Sequence, residues 1–444
     1  MSVLHGLEQD LGNGLLLRRS RAEDMEELAA FNQRIHSMDD DEDVRDPQPR
    51  LAAWTRDLMG GGHPRFGAED FTVVVEQASG RIVSAACLIS QTWDYEGVPF
   101  GVGRPELVGT EPAYRRRGLI RAQFEVLHQL SRSRGEWVQA ITGIPYYYRQ
   151  FGYEMLLNLG GERRGFAAQL PTQAQGYTVR PAQVDDLPWI ADCERLGGRR
   201  GVVHCVRSPA EWRYELDGAC ELNVNRKVLM VLTHASGQPV GFFAHEPYVR
   251  PSNVLAATVL ELMEGVSWYD ALPCVLRYLL QKGNEIAAQD GKPCLGVELA
   301  LGEEHPAYQV AERWLPVVKK PYAWYVRLSD LAGFLRLIAP ALEVRLAQSL
   351  YAGVSGEFKV GFYRTGLHLT FEAGRLTACE AYELERWQAV DAAFPGLSFL
   401  QLLFGYRSLD ELRNAFADCW TNERGRALLT ALFPRKPSNV WPIS

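Results

Sequence analysis

No run in the 444-residue chain approaches the roughly 20 consecutive apolar residues that a membrane-spanning helix needs. From Met1 to Asp10 there is no basic segment followed by an apolar one, so no secretory signal is read there. The eight cysteines are scattered through apolar or helical stretches without a C-x-x-C pair, which argues against a zinc site or a disulfide framework. Excess positive charge is also missing: 47 Lys and Arg stand against 54 Asp and Glu, a net charge of −7. That balance disfavours a general binder of nucleic acid or of anionic membrane. Together these absences predict a cytoplasmic protein with no nucleic-acid and no membrane partner. What is present is ordinary globular composition, 47% hydrophobic and 23% charged, at a length that predicts about two to four domains.

One stretch stands out, from Leu107 to Arg121. An apolar run ends in a turn at Pro112, then come Arg115, Arg116, Arg117 and Gly118, and a helical pattern begins at Leu119. Unpaired N–H groups at a helix N-terminus, together with the helix dipole, favour an anion. Positive side chains there oppose the dipole and are costly unless an anion compensates them. Gly118 gives a ligand close access to the main chain, and the arginines add charge-assisted hydrogen bonds. This order suits a diphosphate. A second motif follows downstream, Tyr148-Arg-Gln-Phe-Gly-Tyr153.

Strand and helix signals alternate up to residue 159. Leu15 to Arg18, Phe71 to Glu76, Arg81 to Thr92, Glu106 to Thr110, Trp137 to Gly143 and Tyr153 to Leu159 read as strands. Ala22 to Ile35 and Leu119 to Ser133 read as helices. Such alternation predicts an α/β sheet layered with helices. The pattern then restarts at Tyr177. Arg180, Asp186, Leu187 and Ile190 fall where Arg18, Asp24, Met25 and Leu28 fall in the first copy, which reads as an internal duplication. The second copy has no basic glycine loop; Glu261, Glu264 and Asp270 stand in its place and would repel a diphosphate. A third unit starts near Leu328. It reads as a helix from Leu331 to Leu350, alternating strands at Gly356 to Tyr363 and Leu367 to Phe371, and further helices. Its apolar end, Val440 to Ser444, is of a kind that is usually docked.

Arg115-Arg-Arg-Gly-Leu-Ile120 followed by Tyr148-x-x-Phe-Gly-Tyr153 resembles the acetyl-CoA motif and catalytic-tyrosine region of the GNAT N-acetyltransferases. The whole layout resembles the enhanced intracellular survival (Eis)-like members. That resemblance implies an α/β (α+β) chain of two tandem GNAT-like domains, mixed sheets flanked by helices, and a C-terminal α+β domain like sterol carrier proteins. Residues 1–170 would be the catalytic domain, 171–327 a degenerate second one, and 328–444 the third. Acetyl-CoA would be the co-substrate, with no metal. Val108, Gly109 and Thr110 would pair with the pantetheine amides. Arg115, Arg116, Arg117, Gly118, Leu119, Ile120 and Arg121 would cradle the diphosphate, and Gly143 and Ile144 would flank the cofactor from the next strand. Tyr148 would be the general acid for the CoA thiolate, and the terminal carboxylate of Ser444 the general base. Ile120 stands where the broader motif has a small residue, a departure the Eis-like members tolerate. A homo-oligomer, often a hexamer, is implied as well.

The expected reaction is direct acetyl transfer to a primary amine, either of a cationic small molecule of aminoglycoside or polyamine type or of a lysine. The amine must be neutral to attack, the tetrahedral intermediate needs an oxyanion donor such as a backbone N–H near Val108 to Thr110, and the thiolate gains from a proton. No acyl-enzyme is needed, so the lack of a Cys–His pair is no objection. Tyr146 and Tyr147 are rival acids. His36 and His128 are rival bases better suited to surface or structural roles. The acidic run Asp39 to Asp43 would attract a cationic acceptor or simply form a solvated loop. Trp54, Phe66, Phe71 and Trp93 would line an acceptor pocket or, by default, pack the core. The other class of function is a non-catalytic acyl-CoA or lipid-binding protein that uses the third unit. Such a binder needs neither Tyr148 nor a free C-terminus.

Overall fold

The computed structural model describes residues 7–37, 49–173, 175–291, 293–385 and 388–444, so the acidic run Asp39 to Asp43 lies outside the described residues. The described residues build three β-sheets. The first runs in the order Glu8–Gly12, Leu15–Arg19, Phe71–Glu76, Ile82–Tyr95, Val98–Thr110, Glu136–Ile141, Tyr322–Leu328, Glu154–Leu159. Side chains alternate across a strand, and both faces of this sheet are used. Val73, Val75, Ala85 and Cys87 face Leu28, Phe31, Trp54 and Leu58 of the helices Met25–Ile35 and Pro49–Met59. Their neighbours Val74, Val83, Ala86 and Leu88 face Leu119, Val126, Leu127 and Leu130 of the helix Leu119–Ser133.

The second sheet runs Val317–Lys319, Glu162–Phe166, Gly296–Ala300, Val254–Leu262, Pro239–His245, Val228–His234, Tyr177–Pro181. Its entry repeats that of the first sheet. Arg18 grips the Asp24 carboxylate with bonds of 2.6 and 2.8 Å, and Arg180 grips that of Asp186 with bonds of 2.6 and 2.7 Å. In each copy the same carboxylate also accepts the N–H three residues upstream, from Arg21 at 2.7 Å and from Gln183 at 2.8 Å. Leu28 and Ile190 are fully buried at matching helix positions.

The two units exchange strands. Glu162–Phe166 leaves the first sheet and pairs with Gly296–Ala300, while Tyr322–Leu328 enters between Glu136–Ile141 and Glu154–Leu159. The segments on either side of residue 170 are therefore interlocked. The strand Val98–Thr110 also begins well before Glu106. Pro99, Gly101, Gly103 and Pro105 read as breakers, yet the segment is a central strand. A Cβ at Gly103 would lie 2.4 Å from the Glu136 carboxylate and 2.6 Å from Ser131 Oγ, so glycine lets the neighbouring strand and helix close in.

The third sheet comprises Arg375–Glu383, Thr365–Glu372, Gly356–Gly361, Ala392–Ala393 and Trp420–Thr421. The helix expected over residues 331–350 is two, Leu331–Leu337 and Ala339–Ala347, divided just ahead of Pro340, which suits a first helical turn. This unit shares a core with the first sheet: Trp93, Tyr95 and Phe100 pack with Phe334 and Phe404, and the Tyr95 hydroxyl donates to the Leu403 carbonyl at 2.6 Å. Of the eight free cysteines, Cys87, Cys193, Cys205, Cys379 and Cys419 are buried, whereas Cys220 is exposed. Among the described residues no group of His, Cys, Asp and Glu is arranged to hold a metal ion, and no helix is long and apolar enough to cross a membrane.

Candidate active site

Strands Val98–Thr110 and Glu136–Ile141 run parallel, and their ladder extends from Gly101 with Glu136 to Gly103 with Gln139, where it ends. A bulge shifts the register of the first strand between Glu106 and Gly109, with Leu107 at φ +51°. Bulges re-aim side chains and interrupt pairing, often beside active sites. A cavity opens on each side of the parting strands.

One cavity, about 690 Å³, is lined by Val108, Gly109, Thr110, Arg115, Arg116, the turn from Gly118 to Arg121, Ile144 and Tyr148. Gly118 caps the helix at φ +78°, and a Cβ there would meet nothing within 4 Å, so conformation and not space requires glycine. The first intrahelical bond is Ala122 N–H to Gly118 at 3.1 Å, which leaves the amides of Leu119, Ile120 and Arg121 for an anion. Exposed arginines, a left-handed Arg116 at φ +63° and this helix end fit a diphosphate. Arg121 bonds Gln150 at 2.9 Å and lies over Phe151. Ile120 packs against the Phe124–Tyr148 cluster, which accounts for a bulky residue at that position.

Two of the expected cofactor residues do not line this cavity. Arg117 turns back to the Ala113 carbonyl at 2.9 Å and onto the Tyr114 ring. Gly143, at φ +141°, is instead the seat of Tyr148: a Cβ there would stand 3.0 Å from the Tyr148 ring.

Tyr148 is 4% exposed, stacked on Phe124 and flanked by Tyr153 and Tyr325. Burial pushes its pKa well up, and Glu106, Tyr147 and Tyr325 push the same way, so the hydroxyl stays protonated. Tyr146 is 66% exposed and in a left-handed conformation, with its N–H on the Tyr325 hydroxyl. Tyr147 lines the cavity, and burial raises its pKa as well. His128 bonds the Tyr153 hydroxyl at 2.9 Å, and burial pulls its pKa down to about 3, which makes it a neutral packing group. His36 is exposed at the cavity edge and hydrogen-bonds the Leu107 backbone. Trp54, Phe66, Phe71 and Trp93 are all buried in the core.

The other cavity, about 460 Å³, lies between the units. Arg104, Thr142 and Ser444 line it together with Tyr322 and Trp324 of the exchanged strand and residues from Tyr214 to Lys227 of the second unit. The chain end is pinned into it. Arg207, fully buried, donates to the carbonyls of Trp441 at 2.8 Å and Pro442 at 3.3 Å and lies 3.8 Å over the Trp441 ring. Gln91 and Arg104 both donate to the Ile443 carbonyl at 2.8 Å. The two cavities are lined by near neighbours on the strand Val98–Thr110 and just past the end of Glu136–Ile141. Arg104 lines one and Val108 the other, with Glu106 between them; Thr142 and Ile144 do the same around Gly143.

The sequence reading missed Arg104, Glu106, Gln91 and Arg207 as site residues. Arg104 and Glu106 sit two apart on one strand, a signal that disappears when the strand is begun at Glu106. In the second unit Gly197, Arg200 and Glu261 line a cavity of about 340 Å³ that carries a carboxylate in place of a basic glycine loop. Glu261 pairs with Arg200 at 2.5 Å, and its carboxylate lies where a Cβ on Gly197 would be.

Residues 17–156 match the family model of the acetyltransferase (GNAT) domain. The N-terminal unit is a GNAT acetyltransferase domain. It makes the chain an acyltransferase, and acetyl-CoA is the co-substrate of GNAT domains. The fold is shared along the whole chain. A probable N-acyltransferase from Enterococcus faecalis V583 superposes with a TM-score of 0.68 at 12% identity, covering 97% of this chain and 100% of that one. Eis1 from Mycobacterium abscessus gives 0.59 at 14% identity, covering 96% and 99%. A GCN5-related N-acetyltransferase from Kribbella flavida gives 0.59 at 16% identity, covering 98% of each chain. No curated protein sequence matches the chain significantly.

Proposed function

We propose that the chain transfers an acetyl group from acetyl-CoA directly to a primary amine, of a small molecule or a lysine, held in the cavity between the units. The observation that carries this reading is the pair of cavities on opposite sides of one strand splay, with Glu106 and Gly143 between them and Tyr148 lining one. The amine nitrogen attacks the thioester carbonyl, the N–C bond forms and the C–S bond breaks. Tyr148, which burial keeps protonated beside the splay, gives the departing sulfur its proton. The bulge at Leu107 takes a residue out of the ladder, which supports a backbone N–H near Leu107 to Thr110 as oxyanion donor.

The surplus amine proton goes to a carboxylate, and two qualify. The terminal carboxylate of Ser444 is one, since that residue lines the acceptor cavity. Glu106 is the other: Arg104 contacts its Oε1 at 2.9 and 2.7 Å, and its charge reaches Tyr148. In this reading the third unit positions the tail. Its core, with Phe358, Leu369, Leu402 and Phe404 at most 3% exposed, gives less support to lipid carriage. The Eis-like resemblance extends the proposal to a homo-oligomer, which sedimentation equilibrium tests.

The deciding experiment is CoA release from acetyl-CoA across aminoglycosides, polyamines, amino acids and lysine peptides, repeated with Tyr148→Phe, Glu106→Gln and a chain lacking Ser444. Release in the wild type with a loss in Tyr148→Phe supports the reading. Undiminished turnover in all three variants overturns the assigned roles.

A further inference from the structure

Six cationic side chains line the cavity between the units, Arg104, Arg226, Lys227, Arg250, Lys319 and Lys320, against the side chains of Glu162 and Glu215 and the terminal carboxylate of Ser444. Several are already committed. Arg250 holds both oxygens of Glu246 at 2.7 Å and also bonds Glu298. Lys319 lies 2.8 Å from Glu162, and Arg104 serves Glu106 and the chain end. Glu215 faces the buried Arg207 at 3.3 Å. Positive charge is left over. Lys227 has an almost buried side chain with Glu246 at 3.8 Å, a carboxylate that Arg250 already occupies, and the charge of Glu215, which Arg207 already faces, also reaches it. Arg226 donates to the Ala219 carbonyl, which leaves its charge uncompensated there, and Lys320 stands exposed at the mouth. Burial lowers the Lys227 pKa, a strain that an adjacent anion relieves.

The uncharged lining points the same way. Trp324 Nε1, Tyr214 Oη and Asn225 Nδ2 are buried polar atoms without a hydrogen-bond partner, and each can donate. Trp324 is 1% and Tyr214 6% exposed. Buried donors are seldom left unpaired in a finished structure; here the residues that carry them line the cavity.

We propose that the molecule bound in this cavity carries a carboxylate beside its amine, with the carboxylate held by Lys227 and the orphan donors around it. Its acetylation rests on the acetyl-transfer reading; the anion site does not. The surplus positive charge also serves the chemistry, because it lowers the pKa of the bound amine and keeps it neutral for attack. A polyamine, cationic along its length, meets like charge here. The sequence-based expectation of a cationic acceptor drew on Asp39 to Asp43, which lie outside the described residues.

The test is calorimetric titration of the full chain with γ-aminobutyrate, its carboxamide and putrescine, in wild type, Lys227→Gln and Lys320→Gln. The carboxylate is expected to bind about tenfold tighter than the other two or better, since it alone adds charge-assisted bonds, and Lys227→Gln should erase that preference. Lys320→Gln, at an exposed position, reads the same charge without disturbing the core and should weaken the preference. Equal or tighter binding of the carboxamide or putrescine, no binding of the carboxylate, or a preference unchanged in both variants overturns the proposal. CoA release is read in parallel with the same amines. Carboxylate binding without release from any amine counts against acetyl transfer and leaves the anion site standing.

Discussion

The guanidinium of Arg104 donates to the Ser444 hydroxyl at 2.6 Å, tying a strand of the first sheet to the chain end 340 residues away. The same group holds the Ile443 carbonyl at 2.8 Å and Glu106 at 2.7 Å. It therefore fixes the two candidate carboxylate bases relative to each other. Arg104→Gln is expected to lower kcat by about a hundredfold, the scale of a positioned acid–base group. Acetyl-CoA affinity, which the proposal assigns to the opposite cavity, should stay within about twofold, because no ligand contact on that side is lost. Steady-state kinetics and calorimetry check this, and a wild-type kcat would contradict it.

Tyr148→Phe keeps the ring on Phe124 and over Gly143 and removes only the hydroxyl. The expected result is a kcat loss of about a hundredfold or more with acetyl-CoA binding intact. Burial and Glu106 hold the Tyr148 proton on well above the usual tyrosine range. The wild-type pH–kcat profile should therefore show no fall attributable to this acid up to about pH 10. A basic limb below that point, absent in Tyr148→Phe, would assign the titration to Tyr148 and refute its environment as described.

Much of this site could be read from the chain because its parts are local. The turn from Arg115 to Arg121 is contiguous, and its glycine, basic residues and helical period appear together. The Arg18–Asp24 and Arg180–Asp186 locks are six residues apart, so one pattern revealed the restart. What stayed hidden was long-range. The strand Tyr322–Leu328 pairs with strands nearly two hundred residues earlier, and its Trp324 and Tyr325 reach both sides of the site only through that exchange. Arg207 lacks any local signature, since its partners are Glu194, Glu215 and the tail. The strand from Val98 was masked by prolines and glycines that packing against Glu136 explains and local propensity does not.

The Asp24 lock gives a stability prediction with a definite sign. Burial pushes its pKa up, but the Arg18 hydrogen bonds, the Arg21 N–H and their charges outweigh it, and the net pKa is lowered. Its contribution is thus present above the unfolded aspartate pKa and is lost as pH falls through the folded value. Asp24→Asn should destabilise the chain at pH 7 by about 1–3 kcal/mol, the cost of losing a partly buried charged bond, and less at pH 3. Urea denaturation at both pH values tests it; equal losses would remove the lock from the account.

Arg207 stands with its side chain fully buried between Glu194 at 3.5 Å and Glu215 at 3.3 Å. Burial, then the neighbouring carboxylates, raise the Glu194 pKa to about 7 despite Arg207. For such a group the folded state holds the proton more tightly, so its contribution to stability is fullest below the usual carboxylate pKa and declines as pH rises to about 7. Glu194→Gln should flatten that decline. Arg207→Met should cost about 3–5 kcal/mol at neutral pH by stranding buried carboxylates, and should also free the tail. Chemical denaturation across pH 5 to about pH 8 reads the first effect, and protease sensitivity of the last residues reads the second. A tail still protected in Arg207→Met would show that Gln91 and Arg104 suffice to hold it.

Gly118 and Gly143 are both left-handed, yet substitution should separate binding from catalysis. Alanine at Gly118 faces open space and meets only the φ +78° penalty, about 1–2 kcal/mol, at the helix end proposed to receive the diphosphate. Its expected effect is a higher Kd for acetyl-CoA with kcat nearly kept. Alanine at Gly143 puts a Cβ 3.0 Å from the Tyr148 ring and 3.4 Å from its hydroxyl. That ring has Phe124, Tyr153 and Tyr325 on its other sides, so it cannot yield without turning the hydroxyl. Gly143→Ala should therefore lower kcat with little change in acetyl-CoA affinity. If it weakened acetyl-CoA binding and left kcat alone, Gly143 would be a wall of the cofactor cavity after all, and the seating of Tyr148 would not be its role.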